Sequence, residues 1–144
     1  MVRRTNRYAL ADTAQQVVGG FLLAGPFVVT EEVWTLAGNM RWWHTLMTVS
    51  IVFAIGYSAL YEADDGRDPD REAEVAGVPV RFISLVTVSY LSVLILALAF
   101  DAPETFLAEE YGSGTMAQAV VTLKAVSVGS VFSVVGAATA DSVF

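Results

Sequence analysis

Residues 12–37 read DTAQQVVGGFLLAGPFVVTEEVWTLA, an apolar run that still carries Asp12, Gln15, Gln16, Pro26, Glu31 and Glu32. A helix rises about 1.5 Å per residue, so about 20 residues cross a hydrocarbon core about 30 Å thick. The stretch 14–36 meets that length, and its polar residues require a reason. Three further apolar blocks of similar length follow, at 42–61, 80–100 and 116–140. With 55% hydrophobic and 16% charged residues among 144, and a mean hydropathy of +0.57, the chain is too apolar and too segmented for a soluble domain. The expected fold class is all-α: a polytopic membrane protein, one four-helix transmembrane bundle occupying 1–144, multi-pass in the cell membrane.

Charge bounds the setting. A net charge of -7 and a pI near 4.5 exclude a basic nucleic-acid-binding surface, since affinity there comes from Lys and Arg at phosphates. Acid gathers in the loops, and Lys124 is the single lysine. Such a surface suits high salt, where repulsion between carboxylates is screened, and predicts a halophilic protein. Cysteine is absent, so no disulfide, thiolate metal site or cysteine nucleophile is available.

Arg3, Arg4 and Arg7 precede the first apolar run, as in a signal peptide. Asp12, Gln15 and Gln16 occupy the place of an apolar h-region, however, and no small-x-small cleavage site follows. The same arginines, with Tyr8 as an interfacial aromatic, mark a cytoplasmic end by the positive-inside rule. The loop 62–79, EADDGRDPDREAEVAGVP, carries Arg67 and Arg71, with Arg81 just beyond, whereas the loop 101–115 carries no Lys or Arg. Both termini and the acidic loop 62–79 are therefore expected in the cytoplasm, with 101–115 outside. The acids of 62–79 lack the EF-hand spacing. In the external loop, Pro103 and Glu104 open a short interfacial helix.

Within the first span Asp12, Gln16, Gly19 or Gly20, Leu23, Phe27, Thr30 or Glu31, and Trp34 recur at three- and four-residue steps, a stripe expected to face the bundle. Gly19, Gly20 and Gly25 permit close backbone approach, and Pro26 frees the Leu22 carbonyl, giving a kink or an exposed carbonyl. Glu31 continues the stripe near the outer end while Glu32 reaches the interface. Lys124 in the fourth span lies at comparable depth. An unpaired lysine there costs at least about 2.5 kcal/mol on insertion scales, so a Glu31–Lys124 pair is expected, with snorkelling as the competing arrangement. Ala125, Gly129, Ser133 and Ala137 repeat at four-residue steps as a close-packing face. Asp141 mirrors Asp12, as a second inner acidic cluster or as a solvated terminal carboxylate. His44 follows the interfacial Trp42 and Trp43 and is placed either as a polar anchor or as a proton relay to Glu31 and Glu32. The third span has hydroxyls but no ionisable residue within it and reads as scaffold or lipid-facing.

The segment ALADTAQQVVGGFLLAGPFVVTEEVW, the WWH start of the second span and the small-residue final span resemble a family of uncharacterised integral membrane proteins common in halophilic archaea. The resemblance covers essentially the whole chain and implies a polytopic membrane protein without an established activity. The residues leave two function classes open. One is a small ion- or proton-coupled transporter or channel with Glu31, Lys124, Glu32, His44, Asp12 and Gln16 as pathway candidates. The other is a scaffold or accessory subunit in which the same groups fix helix packing. Four helices seldom enclose a pathway alone, so a homo-oligomer or a membrane partner subunit is expected besides the lipid bilayer. No metal-binding histidine cluster, nucleophile elbow or phosphate loop is present, so neither enzyme activity nor a cofactor or metal is expected.

Overall fold

The computed structural model describes residues 10–62, 68 and 74–143. The basic flank with Arg3, Arg4, Arg7 and Tyr8, and Arg67 and Arg71 of the acidic loop, lie outside the described residues. Helix α1 spans Leu10–Val28, α2 Glu31–Asn39 and α3 Trp42–Tyr57, which widens into a π-helical turn at Ser58–Glu62. A minimal antiparallel hairpin, β1 Glu74–Val75 with β2 Val78–Pro79, leads into α4 Val80–Ala99. Then come α5 Ala102–Tyr111 and α6 Met116–Val143. Among the described residues, three helices are long and apolar enough to cross a membrane: α3 with its extension, α4 and α6. A fourth crossing is made by α1 and α2 if that bent pair counts as one broken span. The protein is an all-α polytopic membrane protein.

The first span is not one helix, which corrects the continuous 14–36 reading. It breaks after Val28, and α2 turns away from α1 by 82°. Pro26 removes an amide donor in the last turn, and Thr30 then adopts an extended backbone, φ -104° and ψ 135°. A break at membrane depth must satisfy the backbone groups it frees. The Thr30 hydroxyl donates to the Phe27 carbonyl at 3.0 Å, and the indole Nε1–H of Trp34 donates to the Val28 carbonyl at 2.9 Å. Trp34 is buried, so one side chain both fills the corner and closes its hydrogen bonding.

The interior is built by α1, α4 and α6 packed on one another, with α3 laid against α6. Association in lipid depends on close packing and interhelical hydrogen bonds, since tails are as apolar as the side chains. Gly19 and Gly136 supply the closest approach: a Cβ on either would run into the carbonyl oxygen of the other. A Cβ on Gly20 would press on the hydroxyls of Ser92 and Ser133, and one on Gly129 would strike Val93. Ala125, Gly129, Ser133 and Ala137 are all buried. Two placements are corrected. Gly25 has nothing within 4 Å of a built Cβ, and Pro26 is exposed, so neither packs helices. Of the two readings of the third span, α4, the packing favours scaffold over lipid-facing: Arg81, Leu85, Val88, Ser89, Ser92, Val93 and Ala97 are buried in it. The peripheral span is α3, whose buried residues are Val52 and Gly56.

At the end of the bundle away from the start of α1, α2 and α5 form a cap. Trp34 stacks on Phe106 with ring centroids 6.0 Å apart, and Ala102 and Leu107 of α5 join the same buried cluster. Gly38 lies against the Tyr111 hydroxyl. Burial, with the Glu110 carboxylate beside it, holds the Tyr111 phenol above its ordinary range.

Candidate functional site

The other end, where α1 and α4 begin and α6 finishes, holds a polar cluster from all three core helices. Arg81 is the second residue of α4 and is buried to 5% exposure; its guanidinium carries two well-separated Nη donors on a rigid plane. Nη1 meets Asp141 Oδ1 at 2.7 Å and Nη2 meets Asp12 Oδ2 at 3.2 Å. The Asp141 side chain is 0% exposed and that of Asp12 is 21% exposed. Gln16, one turn into α1 from Asp12, donates Nε2–H to Asp141 Oδ2 at 3.1 Å and to the Arg81 carbonyl at 3.4 Å. Its own Oε1 accepts from the Ser84 hydroxyl at 2.7 Å. A buried charge is tolerated only when paired and hydrogen-bonded, and here one cation neutralises a fully buried carboxylate while its second arm holds a partly wet one.

From this cluster a seam of hydroxyls continues between the helices. One turn beyond Gln16, Ser133 donates to the Gly20 carbonyl at 3.0 Å. Ser92 faces the same spot, is 1% exposed, and its Oγ has no hydrogen-bond partner among the described residues. Farther along, Tyr90 and Ser127 share a 2.9 Å bond across α4 and α6. Ser89 and Ser130 are spent on the carbonyls four residues before them, as hydroxyls in membrane helices often are.

The expected outer site does not assemble. Lys124 Nζ donates to the Met40 carbonyl at 2.6 Å, and no ion pair joins it to Glu31. The bend after Val28 explains this: it takes Glu31 off the stripe and leaves both Glu31 and Glu32 exposed on α2. His44 does not reach the glutamates either. Its Nδ1 accepts the Arg41 amide at 2.9 Å, closing the first turn of α3, and its ring stacks on Trp43. Asp12 and Gln16 are brought together with Asp141, which is buried and not a solvated terminal carboxylate. Reading the chain by spacing missed Arg81, Ser84, Ser92 and Gly136. The available signal for Arg81 was an arginine abutting an apolar block with no polar spacer, where a purely topological charge would stand clear of the span.

No curated protein and no solved structure matches the chain. A family model described as "Putative integral membrane protein (DUF2391)" matches residues 2–141. That match spans nearly the whole chain and agrees with a core of apolar crossings; the chain belongs to this family of integral membrane proteins.

Proposed function

We propose that the protein is a small proton- or cation-coupled transport protein of the membrane, non-enzymatic, whose gate is the Asp12–Arg81–Asp141 cluster. One observation carries this reading: a dry and a partly wet carboxylate share one buried guanidinium at the foot of a hydroxyl seam. Ionisable groups inside membrane segments mark ion and proton pathways by default, because their burial is otherwise selected against. A proton or cation arriving at Asp12 competes with Arg81 for its carboxylate. The guanidinium then turns wholly to Asp141, and the contact of α1 with α4 loosens. The positive-inside count supports a cytoplasmic position for this end. A homo-oligomer or a partner subunit completes the pathway, since a few crossings seldom enclose one. The acid-rich surface suits operation at high salt.

A scaffold reading has its own observation. The interlock of Gly19 with Gly136, next to a cluster whose groups bridge three helices, would serve equally to fix register. Purified protein in sealed vesicles separates the two: gradient-driven flux of protons or monovalent cations is expected for transport. Absence of flux under every gradient, with the fold intact, leaves the scaffold.

A further inference from the structure

A second constellation lies at the cap end, on the outward face of α3. Trp42, Trp43, Leu46, Met47, Ser50 and Ile51 line an open apolar groove of ≈ 490 Å³. That is within the range of about 300–1,000 Å³ typical of ligand pockets. The positions follow i, i+1, i+4, i+5, i+8 and i+9, so the groove runs down one side of the helix for about 13 Å from its first residue. It starts at the residue after Arg41, one of the cap end's two cations. Across 29–41 and 100–124, Arg41 and Lys124 are the only arginine or lysine residues. The bond from Lys124 Nζ to the Met40 carbonyl places the ammonium one peptide unit from Arg41, the residue immediately before α3. Neither cation forms an ion pair among the described residues, although Glu31 and Glu32 lie on the preceding helix. Trp42 is 75% exposed and Trp43 43%, as befits side chains at the headgroup level.

We propose that this is a binding site for one anionic phospholipid. Its phosphate lies at the Arg41 and Lys124 cations and an acyl chain lies along the α3 groove. Head and tail of one amphiphile account for both features, whereas a free phosphate would leave the groove unused. A second copy of the chain fits less well, because a two-fold contact through this face would set the same cations against each other. The site is independent of the reading given to the Arg81 cluster.

The test uses the full chain in phosphatidylcholine–phosphatidylglycerol bilayers, with brominated chains on one lipid at a time and tryptophan emission as the readout. Trp34 is buried in the cap and supplies a background, measured in the Trp42→Phe, Trp43→Phe double variant. Brominated phosphatidylglycerol is expected to occupy the groove about fivefold above its bulk share, the effect of about one basic residue at a membrane surface. Arg41→Gln should return it to the bulk share and Arg41→Lys should keep it. Helix content by circular dichroism should be unchanged in both. Equal occupancy by either lipid in the wild type overturns the proposal. So does a preference that survives Arg41→Gln, or one abolished by inorganic phosphate but not by chloride at the same ionic strength.

Discussion

Arg81 and Asp141 stand 60 positions apart in the chain and meet at 2.7 Å, with side-chain exposures of 7% and 0%. Removing Asp141 leaves the buried Arg81 with only the partly wet Asp12 at 3.2 Å, so Asp141→Ala should destabilise the folded protein by about 3 kcal/mol. Replacing both at once, Arg81→Met with Asp141→Leu, should recover most of that loss, because the desolvation penalty disappears with the charges. Unfolding in detergent, followed by circular dichroism, measures both. A double variant as unstable as the single would mean that the loss does not come from a stranded charge.

Gly19 and Gly25 stand six positions apart on α1, but of the two only Gly19 lies in the crossing with α6. Gly19→Ala must push against the Gly136 carbonyl and is expected to cost about 1–3 kcal/mol, as overpacking does. Gly25→Ala meets nothing within 4 Å and should be neutral or stabilising by up to about 1 kcal/mol through helix propensity. Equal melting shifts for the two substitutions would remove the Gly19–Gly136 contact as the basis of packing.

At the corner between α1 and α2, Trp34→Phe keeps a smaller aromatic ring but deletes the donor to Val28. The stranded carbonyl should cost about 1–3 kcal/mol. Amide exchange in α2 should accelerate before exchange in α1, since the bond holds α2 in place. Exchange that rises uniformly across the bundle would contradict a local role.

Glu31→Gln should change stability by less than about 0.5 kcal/mol, because Glu31 is exposed and has no ion pair with Lys124. Lys124→Met, by contrast, releases the Met40 carbonyl and should be clearly destabilising, by about 1–3 kcal/mol. Matching losses in the two variants would restore the pair that the geometry lacks.

These expectations mark what spacing alone conveys. Apolar length was enough to place α3, α4 and α6, because the bilayer imposes that length directly. It did not place the break after Val28: Pro26 signals a weak point, but the carbonyl freed at the 82° turn is satisfied by Trp34, six residues past Val28, which spacing does not reveal. Arg81 reads as a topological charge because its partners, Asp12 and Asp141, are supplied by the two ends of the chain. The four-residue step through Ala125, Gly129, Ser133 and Ala137 passes beside Gly136, one position off the stripe, and only the packed helices reveal it as the contact.

The most direct test of the gate is gradient-driven proton and monovalent-cation flux in vesicles containing wild-type protein or Asp141→Asn, which keeps the shape and one acceptor oxygen while removing the charge. The account predicts flux in the wild type and at least about a tenfold loss in the variant, equivalent to about 1.4 kcal/mol, with helix content preserved. Flux unchanged by Asp141→Asn, or none in the wild type, would contradict it.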